Sequence, residues 1–185
     1  MLNACPCSFI NSLKIPTELE DHLDEIFAEK KDFVGEKIDN FEDLLTKEEL
    51  NKLLLNPISH AKNKYLARLG NRQITDTIKR FIVSQGFKLF LEPDFSSGCF
   101  FYPSMEGFMG WHTNHNSVGY RMYIVKSLKG DSYFRSFENG EIITSYDPKG
   151  YSFRTFLVGD EKSPYWHCVH GGSGRFSIGF HLIKN

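Results

Sequence analysis

The sequence predicts an α+β protein in which N-terminal helices cover one face of a mainly antiparallel double sheet, closed as a sandwich or barrel. Two observations carry this. Near residue 88, charged segments with helical periodicity give way to aromatic, alternating, glycine-punctuated ones, in seven short strand-like runs. Aromatic residues, 17 Phe, 8 Tyr and 2 Trp, make up 15% of the chain and gather in that half, where bulky rings suit a pleated surface. At 185 residues the chain has the length of one domain, with 1–87 as a mainly helical support region and 88–185 as the sheet core.

Thr17-Glu18-Leu19-Glu20 has capping-box spacing, and Leu19, Leu23, Ile26 and Phe27 follow on one helical face, so a helix is expected over 17–31. A second box, Thr46-Lys47-Glu48-Glu49, opens a helix over 47–55 that Pro57 interrupts. Further helices are expected over 58–69 and 72–85, stopped by Gly70 and Gly86. Strands are expected at 87–91, 98–102, 120–125, 132–137, 141–145, 152–158 and 175–183.

Lys plus Arg is 22 and Asp plus Glu is 23, so whole-chain charge names no polyanionic partner. The charge is uneven, however: segment 57–90 carries seven basic residues against Asp76 alone, read as a solvated helix face or a contact for an acidic partner. The four cysteines, at 5, 7, 99 and 168, form neither a dense disulfide framework nor a paired zinc signature. No basic leader with an apolar stretch opens the chain, and no segment reaches the roughly 18 apolar residues of a membrane span. The expectation is a reduced, intracellular, soluble protein without a membrane partner.

Chemistry-bearing residues concentrate in Gly110-Trp111-His112-Thr113-Asn114-His115-Asn116 and in Tyr165-Trp166-His167-Cys168-Val169-His170, followed by Arg175-Phe176-Ser177. Four of the seven histidines lie there. Imidazole is the commonest metal ligand, and residues two apart on a strand share a face, so His112 and position 114 can address one ion, with His167 supplied by another strand. His115 and His170 read as ordinary polar residues, and Cys168, beside His167, as a small core residue. Trp111 and Trp166 either line a pocket or pack behind the metal strands. Arg121 is read equally as an exposed strand arginine or a ligand contact. Gly171-Gly172-Ser173-Gly174 lacks the Lys-Ser/Thr ending of a phosphate loop and reads as a turn.

These residues resemble the iron(II)- and 2-oxoglutarate-dependent dioxygenases, and within them the prolyl 4-hydroxylase-like branch. That pattern is His-x-Asp, then a distant His, then an Arg that binds the far carboxylate of 2-oxoglutarate. Here His167 lies 55 residues after His112, and Arg175 follows eight residues later in an Arg-x-Ser form with Ser177. Tyr102-Pro103, ten residues before His112, matches a Tyr-Pro whose tyrosine contacts the cosubstrate. The resemblance spans about 98–183. It implies a double-stranded β-helix (jelly-roll, cupin-like) core, a metal held by His112, Asn114 and His167, and 2-oxoglutarate held by Arg175, Ser177 and Tyr102. It further implies O2 as oxidant, ascorbate as reductant, and oxidative decarboxylation to succinate coupled to hydroxylation of a prolyl, peptidyl or amino-acid substrate.

One position departs from the family: Asn114 stands where it has a carboxylate. Asn114 ligates directly or through water, or the slot is empty, or a carboxylate comes from Asp131 or Asp147, or His115 completes a three-histidine site. Two other functions stay open beside the hydroxylase: oxidation of a nucleobase or nucleic acid, using the basic 57–90 segment, and a non-catalytic cupin-like binding module.

Overall fold

The computed structural model describes residues 8–9, 15–28, 31–69, 72–84, 89–90 and 99–182. Cys5, Cys7, Gly70 and Gly86 lie outside the described residues.

The first helix, α1 (Thr17–Ala28), begins where the Pro16 carbonyl accepts from the Leu19 and Glu20 amides, at 2.9 and 3.0 Å. Glu18 and Glu20 in its first turn complement the helix dipole, and Leu19, Leu23 and Phe27 form its buried stripe. Helix α2 (Lys47–Leu53) starts as its sequence signature requires: the Thr46 side chain accepts from the Glu49 amide at 3.3 Å. A short 3-10 helix, Phe41–Leu45, precedes it, and α3 (Arg72–Ser84) follows later.

The expected helix over 58–69 is not formed. Its core, β3 (Lys64–Arg68), is a strand that pairs with β2 (Asp32–Gly35) on one edge and with β5 (Cys99–Tyr102) and β6 (Phe108–His112) on the other. The chain passes from β5 to β6 around a turn at 103–107, and β3 lines both sides of that corner, satisfying backbone groups that a helix would leave open. Leu66 and Ala67 are both fully buried, so the segment lacks strand alternation, while Ala61, Tyr65, Leu66 and Leu69 mimic a helical face. The N-terminal half thus contributes to the sheet, not only to its support.

The remaining strands are β1 (Ser8–Phe9), β4 (Leu89–Phe90), β7 (Gly119–Ser127), β8 (Tyr133–Glu138), β9 (Glu141–Tyr146), β10 (Gly150–Val158), β11 (His167–His170) and β12 (Arg175–Leu182). They hydrogen-bond as two four-stranded runs, β10-β7-β12-β5 and β6-β11-β8-β9, joined through β3. Among the described residues every strand pair is antiparallel. The result is a mostly antiparallel, curled sheet compatible with a jelly-roll core.

Three apolar layers follow from strand alternation. Met122, Ile124, Phe153, Phe176, Ile178 and Phe180 face α1 and α3, where Phe27 stacks on Phe176 with ring centroids 3.7 Å apart. On the outside of the other run, Phe41, Leu45 and Leu50 pack on Phe108, Trp111, Trp166 and Cys168. Helical elements therefore cover both outer faces, where the sequence pattern implied one. Between the runs lie Leu66, Tyr102, Phe134, Phe156, Val158 and Val169. Among the described residues, no helix is long and apolar enough to cross a membrane.

Candidate metal centre

His112 ends β6 and His167 begins β11, and the register of the two strands sets them directly opposite one another. Their ring centroids are 4.1 Å apart, and both are almost completely buried. The register slips between His167 and Val169, so that Val169 pairs with Met109: three steps on β6 match two on β11. This bulge lets Met109 and His112 face the interior together while Phe108 and Trp111 point outward.

Each imidazole is oriented by a carbonyl two residues earlier: His112 Nδ1 lies 2.9 Å from Gly110 O, and His167 Nδ1 lies 2.9 Å from Tyr165 O. A carbonyl only accepts, so Nδ1 carries the proton in both rings and Nε2 keeps its lone pair, the tautomer a metal ligand needs. Burial lowers the pKa of His112 to about 4, and burial followed by the neighbouring His112 holds His167 well below the ordinary range. Both rings are thus neutral near pH 7.

A pH dependence follows. Between about 6.5 and 4 the unfolded chain binds more protons at His112 than the folded chain, so the metal-free protein loses stability as pH falls through that window. From His112 alone the loss is about 2 kcal/mol between pH 7 and 5, and His167 adds in the same direction. Urea unfolding at both pH values measures it, and His112→Gln is expected to lose part of the dependence. An identical midpoint at the two pH values would contradict the assignment.

Asn114 reaches the pair by a route different from the expected strand face. β6 stops at His112, and Asn114 takes a left-handed conformation with φ of 54°, which Asn tolerates better than most residues. Its amide donates to Ser59 O at 2.7 Å and its carbonyl accepts from the Ser117 amide at 2.9 Å. The side chain then places Nδ2 3.3 Å from His167 Nε2. Arg121 is buried, not exposed, and donates to Ser117 O, bracing this turn.

The alternative carboxylates are engaged elsewhere. Asp131 accepts from the backbone and hydroxyl of Ser173, in the glycine turn before β12. Asp147 accepts from Arg154 Nη2 and Arg175 Nε, both at 2.9 Å, and from Ser132 Oγ at 2.8 Å. Neither faces the histidine pair as a third ligand. His115 pairs with Thr113, its Nδ1 2.6 Å from Oγ1. Among the described residues no three His, Cys, Asp or Glu side chains converge as a metal site. The polar side chains that meet here are two imidazoles and one amide.

The pair opens on a pocket of about 350 Å³, part of it continuous with solvent, whose lining includes Tyr102, His112, His167, Arg175 and Ser177. Arg175 and Ser177 point inward together because they are two apart on β12, and Arg175 lies directly across from Tyr102 on β5. The Arg175 guanidinium stands 5.2 Å from the Tyr102 ring centre. Arg175 Nη1 and Ser177 Oγ are buried and make no hydrogen bond of full geometry among the described residues. Burial pushes the Tyr102 phenol up to about 12, outweighing Arg175 and Ser177, which favour its ionised form. Phe100, Met109, Tyr123, Phe134, Phe156 and Val169 complete an apolar wall. Gly179 makes room for it: a Cβ there would lie 2.7 Å from the Tyr123 ring.

Trp111 and Trp166 pack on the outer side of β6 and β11, with Trp111 Nε1 donating to Thr46 O at 3.0 Å. Cys168 is a buried core thiol, and His170 lies between the Phe41 and Tyr133 rings, outside the pocket. Of the basic residues of 57–90, Lys62 lies in a loop, Lys64 and Arg68 in β3, and Arg72, Lys79 and Arg80 in α3, so the helix face expected is not formed over 58–69; Lys88 lies outside the described residues.

Sequence reasoning missed Arg154. It lines the pocket fully buried, inward on β10 with Ser152, Phe156 and Val158. The signal was an arginine inside an apolar strand, but Phe153 and Leu157 on the opposite face hid which side is interior.

No family model matches the chain, and no curated protein matches it. Among solved structures it is similar to one described as a Pseudomonas putida prolyl-4-hydroxylase, at 17% identity and a TM-score of 0.39, over 91% of this chain and 100% of that one.

Proposed function

We propose that the protein is an iron(II)- and 2-oxoglutarate-dependent oxygenase, a hydroxylase of a prolyl, peptidyl or amino-acid substrate. One observation carries this reading. Five residues that the sequence and its family resemblance singled out, His112, His167, Tyr102, Arg175 and Ser177, line one pocket. The strand orders β10-β7-β12-β5 and β6-β11-β8-β9 support a double-stranded β-helix as its frame.

The residues present fit the implied group. Two imidazoles with protonated Nδ1 and open Nε2 suit ferrous iron, and the buried Arg175 Nη1, without a hydrogen bond among the described residues, suits a carboxylate beside the Ser177 hydroxyl. Bound there with a 2-oxo acid, iron(II) supplies activation of O2, which oxidises the 2-oxo acid to succinate and carbon dioxide and hydroxylates the substrate. The chain supplies the rest. Gly110 O and Tyr165 O fix the ring tautomers, Arg175 and Ser177 orient the distal carboxylate, and the Phe134 and Phe156 rings exclude water around His167.

Asn114 completes the ligand set through its amide oxygen. Oxygen and nitrogen of an amide exchange by turning the group over, which exchanges donation to His167 Nε2 for an oxygen facing the metal. Asn114→Asp is expected to retain or strengthen ferrous-iron affinity, by about tenfold, since a carboxylate is the better ligand for a hard cation. Anaerobic calorimetry measures it, and weaker binding by Asn114→Asp would contradict a ligand at this position.

A second reading rests on the missing carboxylate: a binding module that holds a small anion without turnover. Succinate formation from 2-oxoglutarate with added iron and ascorbate, including turnover without substrate, separates the two. The hydroxylase reading expects succinate, and its absence across peptide and amino-acid substrates would leave the binding module.

A further inference from the structure

Strand alternation on β8, and the hydrogen bond from Ser136 to Glu138, put Phe134, Ser136 and Glu138 on the inner face. They run in order past the candidate metal site. Phe134 lies on the arginine side, with the Arg154 guanidinium 4.7 Å from its ring centre, and Ser136 is directly opposite His167. Glu138 is the next inward position beyond His167, a diagonal cross-strand neighbour at roughly 7–8 Å between backbones. Ser136 Oγ and Tyr165 Oη both donate to its Oε1, the latter at 3.3 Å. Tyr165 in turn packs on His167 and Phe156, with ring centroids 5.7 and 5.4 Å away. The Phe137 amide donates to Trp166 O at 3.0 Å, which ties the end of β8 to the start of β11. Glu138 is half-buried and, among the described residues, joins no ion pair. Ile143, opposite Ser136 on β9, is 46% exposed, so this side of the histidine pair is open to solvent. With a 2-oxo acid on Arg175, it is the side left for the substrate.

We propose that Glu138 is a specificity-determining residue that receives the protonated amine of the substrate, so that the substrate is a free amino acid or the first residue of a chain and not an internal prolyl residue. This deepens the hydroxylase reading and rests on it for the substrate's place beside the metal. Two hydroxyls on Oε1 hold the side chain before the substrate arrives, and Oε2 is left to accept a charge-assisted hydrogen bond. An ammonium offers both the donor and the counter-charge. The nitrogen of an internal proline offers neither, because it is a tertiary amide without charge or N–H.

The test uses the full-length, metal-free chain and prolinamide, a secondary amine protonated near pH 7, with N-acetylprolinamide as its uncharged control. Titration followed by NMR is expected to show prolinamide binding about tenfold or more tightly than the control, and weakening with salt. Glu138→Gln keeps the shape of the side chain and an acceptor for Ser136 and Tyr165, so it is expected to fold, and it should lose that preference. Glu138→Asp should keep part of it. Equal binding of the two amides by the unaltered chain, no binding of prolinamide, or an unchanged preference in Glu138→Gln overturns the proposal. The two readings fail separately. A preference for prolinamide that needs Glu138, in a chain that never forms succinate, sinks the oxygenase and keeps the amine site; succinate formation by a chain that binds the two amides equally does the reverse.

Discussion

Replacing His167 with alanine is expected to lower ferrous-iron affinity more than about 100-fold, beyond the roughly 10–100-fold lost when only a group hydrogen-bonded to a ligand is removed. The imidazole faces His112 at 4.1 Å between centroids, and the described residues hold no further histidine or carboxylate converging on that point. With one imidazole gone, His112 and the neutral Asn114 amide are left, too few and too weak to hold the ion. Anaerobic calorimetry reads the affinity and circular dichroism confirms the fold, since the residue also packs on Phe134 and Phe156. A folded His167→Ala protein with unchanged iron affinity would remove His167 from the ligand set.

Asp147→Asn is expected to cost about 3–5 kcal/mol of stability, the range for breaking a buried ion pair from one side. The substitution keeps shape and one acceptor but removes the carboxylate charge that both buried Arg154 and Arg175 address. Burial acts to raise the Asp147 pKa, but Arg175 and then Arg154 outweigh it and hold the carboxyl below the ordinary range. Urea unfolding monitored by fluorescence measures the loss. A dicarboxylate should restore stability to the variant by mass action, because it replaces the missing anion. A cost below about 1 kcal/mol would mean that the arginines are paired by something other than Asp147.

Both expectations rest on contacts that were legible in the sequence to different degrees. Strands β5, β7 to β10 and β12 were readable because alternation and turn residues are local signals, whereas the short β6 and β11 were not among the runs expected; on β12 the two-residue spacing puts Arg175 and Ser177 on one face. The α2 start was readable for the same reason, Thr46 and Glu49 being three apart. β3 was not, because its buried residues on both faces carry no period of two, and only its long-range pairing with β5 and β6 decides against a helix. Opposition of His112 and His167 depends on register between strands 55 residues apart and on a bulge in β6, neither of which leaves a local mark.

Asp147 shows the same limit from the other side. The sequence offers Asp147 only as an alternative carboxylate for the metal, and it lies in the connection from β9 to β10. Its carboxylate nevertheless turns inward, because Arg154 and Arg175 arrive there from two other strand positions. Asn114, read as a neighbour of His112 on one strand face, arrives instead through a left-handed turn held by Ser59 and Ser117.

The central claim is that one pocket binds iron at His112 and His167 and 2-oxoglutarate at Arg175. Its most direct test is the visible spectrum of the protein mixed anaerobically with ferrous iron and 2-oxoglutarate. A metal-to-ligand charge-transfer band is expected, absent in His167→Ala and shifted to much higher 2-oxoglutarate concentration in Arg175→Met. A chain that binds both components yet shows no band, or a band that persists in His167→Ala, would contradict it.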